Sequence, residues 1–214
     1  MATAPEIAPA LRADAARNRE LILDAAMEVF AERGLDASTS EVARRAGVGE
    51  ATLFRRFPHK QDLIDAVLER TMREVNELLA ECAADPDPAR GLERFFFELL
   101  ERKLQNDRAF FEAVHERCMT STNFEDLRAE AFDLMTVILR RAQEAGAART
   151  DLQPPDLFFL LLSAGATLRL PQLSLREDLW KRYARVILDG LRPQSPSKLK
   201  PGAPSRKLLE EGGE

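Results

Sequence analysis

A group of basic residues within an acidic chain carries the clearest chemical signal in this sequence of 214 residues. The net charge of the whole chain is -5, whereas the segment 44–60 holds a single carboxylate, Glu50, against five basic residues: Arg44, Arg45, Arg55, Arg56 and Lys60. Lysine and arginine bind phosphate oxygens, and arginine also donates two parallel hydrogen bonds to guanine. The acidic total argues against a protein that coats nucleic acid non-specifically. The local cluster instead predicts one small nucleic-acid-binding surface.

The remaining reactive side chains form no pattern that predicts catalysis. The sequence contains no G-x-S-x-G, H-E-x-x-H, P-loop or Cys-x-x-Cys motif, and its two histidines stand far apart in the chain. His115 and Cys118 have a spacing that would place two metal ligands on one helix face, but no third ligand stands nearby. We therefore predict that the protein is not an enzyme and holds neither a cofactor nor a metal.

The composition predicts an all-α protein of the cytoplasm. Alanine, leucine, glutamate and arginine dominate, and these residues favour helices. Two cysteines are too few for a disulfide framework, and no signal peptide precedes the first amphipathic segment. The longest apolar run, residues 157–162, is far shorter than the roughly 20 residues that a membrane-spanning helix needs. We expect no association with a membrane.

The segment 38–57 has the local signals of a helix-turn-helix. Ser38 and Glu41 fit a capping box, in which the Ser38 hydroxyl accepts from the Glu41 amide and the Glu41 carboxylate accepts from the Ser38 amide. Gly47 permits the positive φ of a tight turn, and a short basic helix follows it. The second helix of such a unit enters the major groove of DNA. The residues expected to lock the two helices together are Val42, Ala43, Ala46, Val48, Leu53 and Phe57.

Apolar periodicity and helix-stop residues divide the chain into nine predicted helices. Besides the helix between Ser38 and Gly47, they span residues 15–33, 50–57, 60–84, 89–105, 108–120, 124–145, 156–170 and 175–191. Both ends of the chain lack apolar periodicity and contain several prolines, so we expect them to be disordered.

The residues around the helix-turn-helix resemble the DNA-binding signature of the TetR family of transcriptional regulators. The resemblance covers about residues 19–68 and rests on Ile22-Leu23-Asp24-Ala25-Ala26, Phe30, Gly34, Val42-Ala43, Ala46-Gly47-Val48, Thr52-Leu53-Phe54, Phe57-Pro58, Lys60 and Leu63. It implies a homodimer that binds a palindromic operator and is released by a small, hydrophobic effector. A repressor is the simplest form of such a regulator. An activator is the alternative, because the sign of regulation depends on where the operator lies.

The resemblance also implies which residues contact DNA: Ser38, Thr39, Glu50, Ala51, Thr52, Phe54, Arg55, Arg56 and Lys60. Ser38 and Thr39 would bind phosphate at a helix N-terminus. Arg55 is the expected reader of guanine, in a group of base-facing residues with Glu50, Ala51 and Thr52. The other three would contact the DNA backbone. Phe54 stands where the family usually has tyrosine, Arg56 where histidine is frequent, Glu50 where lysine is common, and Gly49 where serine is common.

An effector pocket is expected in the C-terminal part of the chain, where bulky apolar residues accompany one histidine. The candidates are Phe97, Phe111, His115, Cys118, Met119, Met135 and Leu162. Aromatic and methionine residues at helical spacing also form ordinary cores, so a purely structural role is the alternative for each of them.

A dimer interface is expected on the last two helices, because they are apolar on more than one side and therefore need a second cover. The candidates are Phe158, Leu161, Gly165, Leu179, Tyr183, Val186 and Ile187. The alternative is that both helices are fully buried within one subunit.

Together these patterns predict four segments. They are a disordered arm at residues 1–14, a DNA-binding domain at 15–60, an effector-binding and dimerisation domain at 61–192, and a disordered tail at 193–214. The alternative function is a helical adaptor that uses its basic turn to hold an acidic protein partner without sequence-specific DNA binding.

Overall fold

A computed structural model describes residues 7–105, 121–166, 179–193, 199 and 202–205. Its regular elements are α1 (Ile7–Arg33), α2 (Thr39–Ala46), α3 (Glu50–Arg56), α4 (Lys60–Ala84), α5 (Pro88–Gln105), α6 (Glu125–Glu144), α7 (Pro154–Ala166) and α8 (Leu179–Gly190), with one 3-10 turn at Thr122–Phe124. All of these elements are helical, which confirms the predicted all-α class. Among the described residues, every helix is too short or too polar to cross a membrane.

Within the described residues the helix boundaries lie within about two residues of the sequence prediction except at the start of α1, while residues 167–170 and 175–178 of the last two predicted helices lie outside the described residues. The predicted arm is wrong for residues 7–14, because α1 already begins at Ile7. Alanine is the best helix former, and it recurs through this stretch. Pro9 lies in the first turn, where the amide that proline lacks has no intrahelical partner. The predicted helix at 108–120 lies outside the described residues.

The N-terminal core is enclosed by α1, α2, α3 and the first half of α4. On α1, Ile22, Ala26, Val29 and Phe30 are fully buried, as their spacing predicts. The buried residues that they meet are Val42 and Ala43 of α2, Leu53 of α3, Phe57 directly after α3, and Leu63, Ile64, Val67 and Leu68 of α4. Burial of apolar surface stabilises the packing of these helices by about 25 cal/mol per Å², and it fixes α3 against the rest of the unit.

A residue from far along the chain completes the N-terminal core. Phe124, which ends the 3-10 turn, is 2% exposed and belongs to this core, and Leu127 of α6 packs against it. The start of α6 is therefore embedded in the helix-turn-helix unit.

The C-terminal core is formed by α4 to α8, and α4 contributes to both cores. Leu78, Leu79 and Cys82 extend from the second half of α4 into this core. Gly91 lets α5 approach α4 closely, since a Cβ at Gly91 would lie 2.5 Å from the carbonyl oxygen of Cys82. Because one helix serves both cores, the predicted boundary at residues 60 and 61 coincides with the start of α4 but does not separate two independent packing units.

Candidate nucleic-acid interface

The N-terminus of α2 is capped by Ser38, whose hydroxyl accepts from the Glu41 amide at 3.2 Å. The return bond predicted from Glu41 is wrong. The Glu41 carboxylate instead accepts from the Arg33 guanidinium, with 3.0 Å between Nη1 and Oε2. A charged donor forms a stronger bond than a neutral amide, and Arg33 lies at the end of α1 within reach. Ser38 is left exposed and Thr39 half-buried at this helix end.

The turn between α2 and α3 is fixed by Gly47, which has a φ of 68°. Its amide donates to the carbonyl of Arg44 at 3.3 Å, and the amide of Val48 donates to the carbonyl of Ala43 at 3.0 Å. These two bonds form a Schellman motif, which requires a left-handed residue at the position of Gly47. The predicted glycine turn is thus confirmed, and it sets the direction in which α3 leaves α2.

The orientation of α3 follows from its two buried residues. Leu53 and Phe57 are 1% and 5% exposed and lie one turn apart, so this side of the helix faces the N-terminal core. Thr52 and Lys60 are half-buried, and the remaining predicted contacts of this region, Glu50, Ala51, Phe54, Arg55 and Arg56, are exposed. All nine residues predicted to contact DNA therefore reach the surface. Their contacts with DNA stay predictions.

The structure divides the basic cluster into two groups. Arg45 points back to α1, where it binds Glu32 at 2.8 Å and Glu28 at 2.9 Å. These hydrogen bonds, with that to Glu32 the larger, raise the pKa of the Arg45 guanidinium above its ordinary value. In contrast, the described part of the chain offers no hydrogen bond or ion pair to Arg55 or Lys60. Arg45 is thus a positioning residue.

A row of carboxylates on α1 was missed by the reasoning from sequence. Glu20, Asp24, Glu28 and Glu32 recur every four residues and so share one side of the helix. Arg45 of α2 binds one end of the row, and Arg70 of α4 binds Asp24 at 2.7 Å. The spacing of the four acids in the sequence already indicates that they share one side of a helix. The row ties both α2 and α4 to α1 and so helps to hold α3 in place.

Phe54 is the departure from the family pattern with the clearest structural consequence. Its ring is 45% exposed, although an aromatic ring gains from leaving water. A phenylalanine here has no hydroxyl to donate to phosphate, so any contact it makes with DNA is apolar.

Only three of the seven predicted pocket residues lie among those described. Met135 is 5% exposed within the C-terminal core, and Leu162 is half-buried on α7. Phe97 is half-buried, with its ring centroid 5.8 Å from that of Trp180 and 5.0 Å from the Arg185 guanidinium. The other four, Phe111, His115, Cys118 and Met119, lie outside the described residues. Within the described ranges no three side chains are grouped to hold a metal ion.

An apolar surface lies on α7 and α8, which pack against each other. Val186 is 62% exposed, Tyr183 41% and Phe159 39%. Of the other predicted interface residues, Phe158, Leu161 and Ile187 are half-buried, and Leu179 begins α8. Gly165 is buried within this chain, so little of its surface is accessible to a partner. Phe159, which was not predicted to lie in the interface, is more exposed than its predicted neighbour Phe158. Helical spacing alone does not distinguish these two neighbouring rings.

Two family models match this chain. The model described as bacterial regulatory proteins, tetR family, matches residues 22–67. The model described as transcriptional regulator SbtR-like, C-terminal domain, matches residues 87–193. The first match contains α2, α3 and most of the N-terminal core.

Individual proteins are similar over most of their length. The transcriptional repressor BepR of Brucella suis biovar 1 (strain 1330) is 29% identical over 164 residues, which cover 71% of this chain and 78% of BepR. A TetR transcription regulatory protein from Mycobacterium vanbaalenii is 32% identical, with a TM-score of 0.63 and coverage of 85% and 99% of the two chains. A TetR regulator from Streptomyces coelicolor is 29% identical, with a TM-score of 0.62 and coverage of 82% and 99%.

Proposed function

Because this chain belongs to the TetR family of bacterial regulatory proteins and is therefore a DNA-binding transcriptional regulator, we propose that it acts as a repressor. In this proposal a homodimer binds a palindromic operator and leaves it when a small hydrophobic effector binds. The observation that carries the proposal is α3, whose apolar side is held in the N-terminal core while Arg55 and Arg56 stay exposed. The similar protein BepR is named a repressor, which supports the sign of regulation.

Each part of the helix-turn-helix has a separate task in this proposal. Ser38 and Thr39 bind phosphate at the N-terminus of α2, where amide groups and the helix dipole attract anions. Arg55 reads guanine in the major groove, and Lys60 binds the DNA backbone. Arg45 does not touch DNA, because Glu28 and Glu32 hold it against α1.

Dimerisation provides the second reading helix. We place the interface on the apolar surface formed by Phe159, Tyr183 and Val186, which needs a cover that the described part of this chain does not supply. Two-fold symmetry would then set two copies of α3 on half-sites one helical turn, about 34–36 Å, or a multiple of it apart. A palindromic operator follows from this symmetry.

The effector site belongs to the domain that contains the C-terminal core. Its lining is mainly apolar and aromatic in this proposal, with Phe97, Met135 and Leu162 among its residues, so the effector is a hydrophobic small molecule. The related proteins are regulators, and we assign the chain no catalytic step. It works in the cytoplasm, where the chromosome lies.

The direct test is selection of fragments from the genomic DNA of the source organism by purified protein at moderate salt. Recovery of a palindromic site with both half-sites on one face of the duplex would support the dimeric regulator and reveal its target genes. A folded, dimeric protein that enriches no sequence would contradict the proposal. That result would favour the alternative, a helical adaptor that binds an acidic protein partner.

Arg55→Ala should weaken base discrimination at one position of the site, whereas Lys60→Ala should weaken binding to every sequence alike. We expect Arg55→Ala to cost about 1–3 kcal/mol on the selected site and to relax the preference at one base pair. Affinities for the selected site and for duplexes with single substitutions measure both effects. Arg140→Ala is the control, since Arg140 lies on α6 and is 70% exposed. Equal losses for Arg55→Ala on all duplexes would contradict its role as a base reader.

A further inference from the structure

The first half of α8, residues 179–185, is held in its own subunit by a small apolar cluster. Trp180 and Ala184 are its buried residues on α8, and they are grouped with Leu100 of α5 and Ala164 of α7. Two of these four side chains are alanines, and the stabilisation from apolar burial is roughly proportional to the area buried. Apolar packing therefore fixes the start of α8 less firmly than its end, which belongs to the larger C-terminal core.

Arg185 adds two contacts between this part of α8 and α5. Its Nη2 donates to Glu93 Oε1 at 2.6 Å, and its guanidinium carbon lies 5.0 Å from the ring centroid of Phe97. Glu93 and Phe97 are four residues apart on α5, so both contacts are made with one side of that helix. Phe97 also contacts Trp180, with 5.8 Å between the ring centroids. Arg185 thus extends the apolar cluster by a charged contact with the same side of α5.

The strength of this contact comes from the combination of its two parts. The side chains of Arg185 and Glu93 are 46% and 45% exposed, and an ion pair at such exposure is weak by itself. A guanidinium over an aromatic ring contributes a comparable stabilisation, and the planar arginine side chain can make both contacts at once. The hydrogen bond with Glu93 raises the pKa of the Arg185 guanidinium above its ordinary value. A homodimer would contain the whole arrangement twice.

The helical register relates Arg185 to the proposed dimer interface. Successive residues of a helix are about 100° apart around its axis. Val186 therefore points outward beside the edge on which Arg185 meets α5, and Tyr183, two residues earlier than Arg185, lies on nearly the opposite side. A rotation of α8 that broke the contact with Glu93 would turn both interface residues as well. The contact with α5 thus controls the direction in which Val186 and Tyr183 face.

We propose that Arg185 is a positioning residue for dimerisation. Its contacts with Glu93 and Phe97 fix the rotation of α8 about its own axis, and they thereby hold Val186 and Tyr183 in the orientation in which a partner subunit meets them. This inference rests on the proposed function, which places the interface on that surface. It adds that assembly depends on a contact within one subunit, between α5 and α8, outside the apolar surface itself. The strength of the dimer should therefore respond to charges that the partner does not touch.

The test is the dimer Kd of the whole chain, measured by sedimentation at several protein concentrations. Arg185→Ala should raise the Kd by about 5–30-fold, because each of the two subunits loses both contacts. Glu93→Gln should have a smaller effect that shrinks at high salt, since salt screens a half-exposed ion pair. The variant with both changes should be no weaker than Arg185→Ala, because the two residues act through one contact.

A matched control and a rescue variant accompany these measurements. Arg192→Ala removes an exposed arginine that pairs with Asp189 at 3.4 Å, both on the last part of the α8 segment. It should leave the Kd unchanged, because that pair does not join α8 to α5. Exchange of the charges in one chain, Glu93→Arg with Arg185→Glu, should recover part of the affinity that Arg185→Glu alone loses.

Trp180 reports the position of α8 directly. It is the single tryptophan of the sequence, it is 5% exposed, and it contacts Phe97. We expect red-shifted emission and stronger quenching by acrylamide in Arg185→Ala, because the start of α8 is released from α5 and Trp180 gains contact with water. Arg192→Ala should keep the wild-type emission.

The outcomes separate this inference from the proposed function. A wild-type dimer whose Kd is unchanged in Arg185→Ala and Glu93→Gln would overturn only the role of Arg185. A shift of Trp180 emission without a change in Kd would do the same, since the contact would then stabilise α8 without positioning the interface. An equal rise in Kd for Arg192→Ala would also overturn it, in favour of a general effect of charge. A wild-type chain that is monomeric at every concentration would contradict the homodimer of the proposed function as well.

Discussion

Phe124→Ala should destabilise the helix-turn-helix unit even though Phe124 lies far from it in sequence. The Phe124 side chain is 2% exposed within the N-terminal core. Replacing a buried phenylalanine with alanine costs about 3–5 kcal/mol, because the lost apolar contacts leave a cavity that the core fills only in part. We expect a lower free energy of unfolding in urea and weaker binding to the selected operator. Both should be measured on the whole chain of 214 residues.

Val137→Ala is the matched control for this substitution. Val137 lies further along α6 and is 37% exposed, and surface substitutions usually change stability by less than about 0.5 kcal/mol. An unfolding free energy that is the same in Phe124→Ala and in wild type would show that the N-terminal core does not depend on the start of α6.

The position of Phe124 also identifies where the two cores are joined. Three residues later, the carbonyl of Leu127 accepts from Asn76 Nδ2 at 3.0 Å, and the same nitrogen donates to Glu130 at 2.8 Å. Asn76 is 5% exposed on α4. The first turn of α6 is therefore bound to α4 by hydrogen bonds and to the N-terminal core by Phe124. A displacement of this turn would change the position of α3, because packed side chains of the N-terminal core connect the two elements.

Local signals made most of the fold predictable. The α4 helix spans residues 60–84, as its apolar period predicts. The Ser38 cap and the Gly47 turn are properties of four or five neighbouring residues, and both are present. The start of α1 was missed because prolines near the end of a chain are typical of disorder, although Pro9 fits the first turn of a helix.

The parts that sequence could not provide depend on residues distant in the chain. Arg45 belongs to the basic segment 44–60, and nothing in that segment shows that Glu28 and Glu32 on the preceding helix would bind it. The burial of Phe124 in the N-terminal core is likewise a long-range contact. Periodicity reports which side of a helix is apolar, but it does not name the element that covers that side.

The same limit applies to the apolar residues near the end of the chain. Met135 had the type and spacing of a pocket residue, and the structure places it in the C-terminal core at 5% exposure. Phe158 and Phe159 are neighbours of one type, yet only Phe159 is exposed. Whether an apolar side chain covers a ligand, a partner or its own core is decided by packing across several helices.

Val186→Glu should convert the dimer into monomers and remove most operator binding. Val186 is 62% exposed on α8, beside Tyr183 one turn earlier, so the fold of the subunit should tolerate a polar residue there. In the proposed interface a glutamate would lose its water without gaining a partner, and an unpaired buried charge is strongly unfavourable. Sedimentation at several protein concentrations measures the expected dissociation.

The loss of DNA affinity follows from the loss of the second reading helix. A dimer binds its second half-site as an intramolecular step, which strengthens binding by about 10²–10⁴-fold, and a monomer lacks this gain. Val137→Glu makes the same change on an exposed part of α6, and it should leave both assembly and operator affinity intact. A Val186→Glu protein that stays dimeric and binds the operator normally would place the interface elsewhere. A monomer that keeps full operator affinity would contradict the proposal that two copies of α3 bind the two half-sites of a palindrome, because one copy of α3 would then be sufficient for binding.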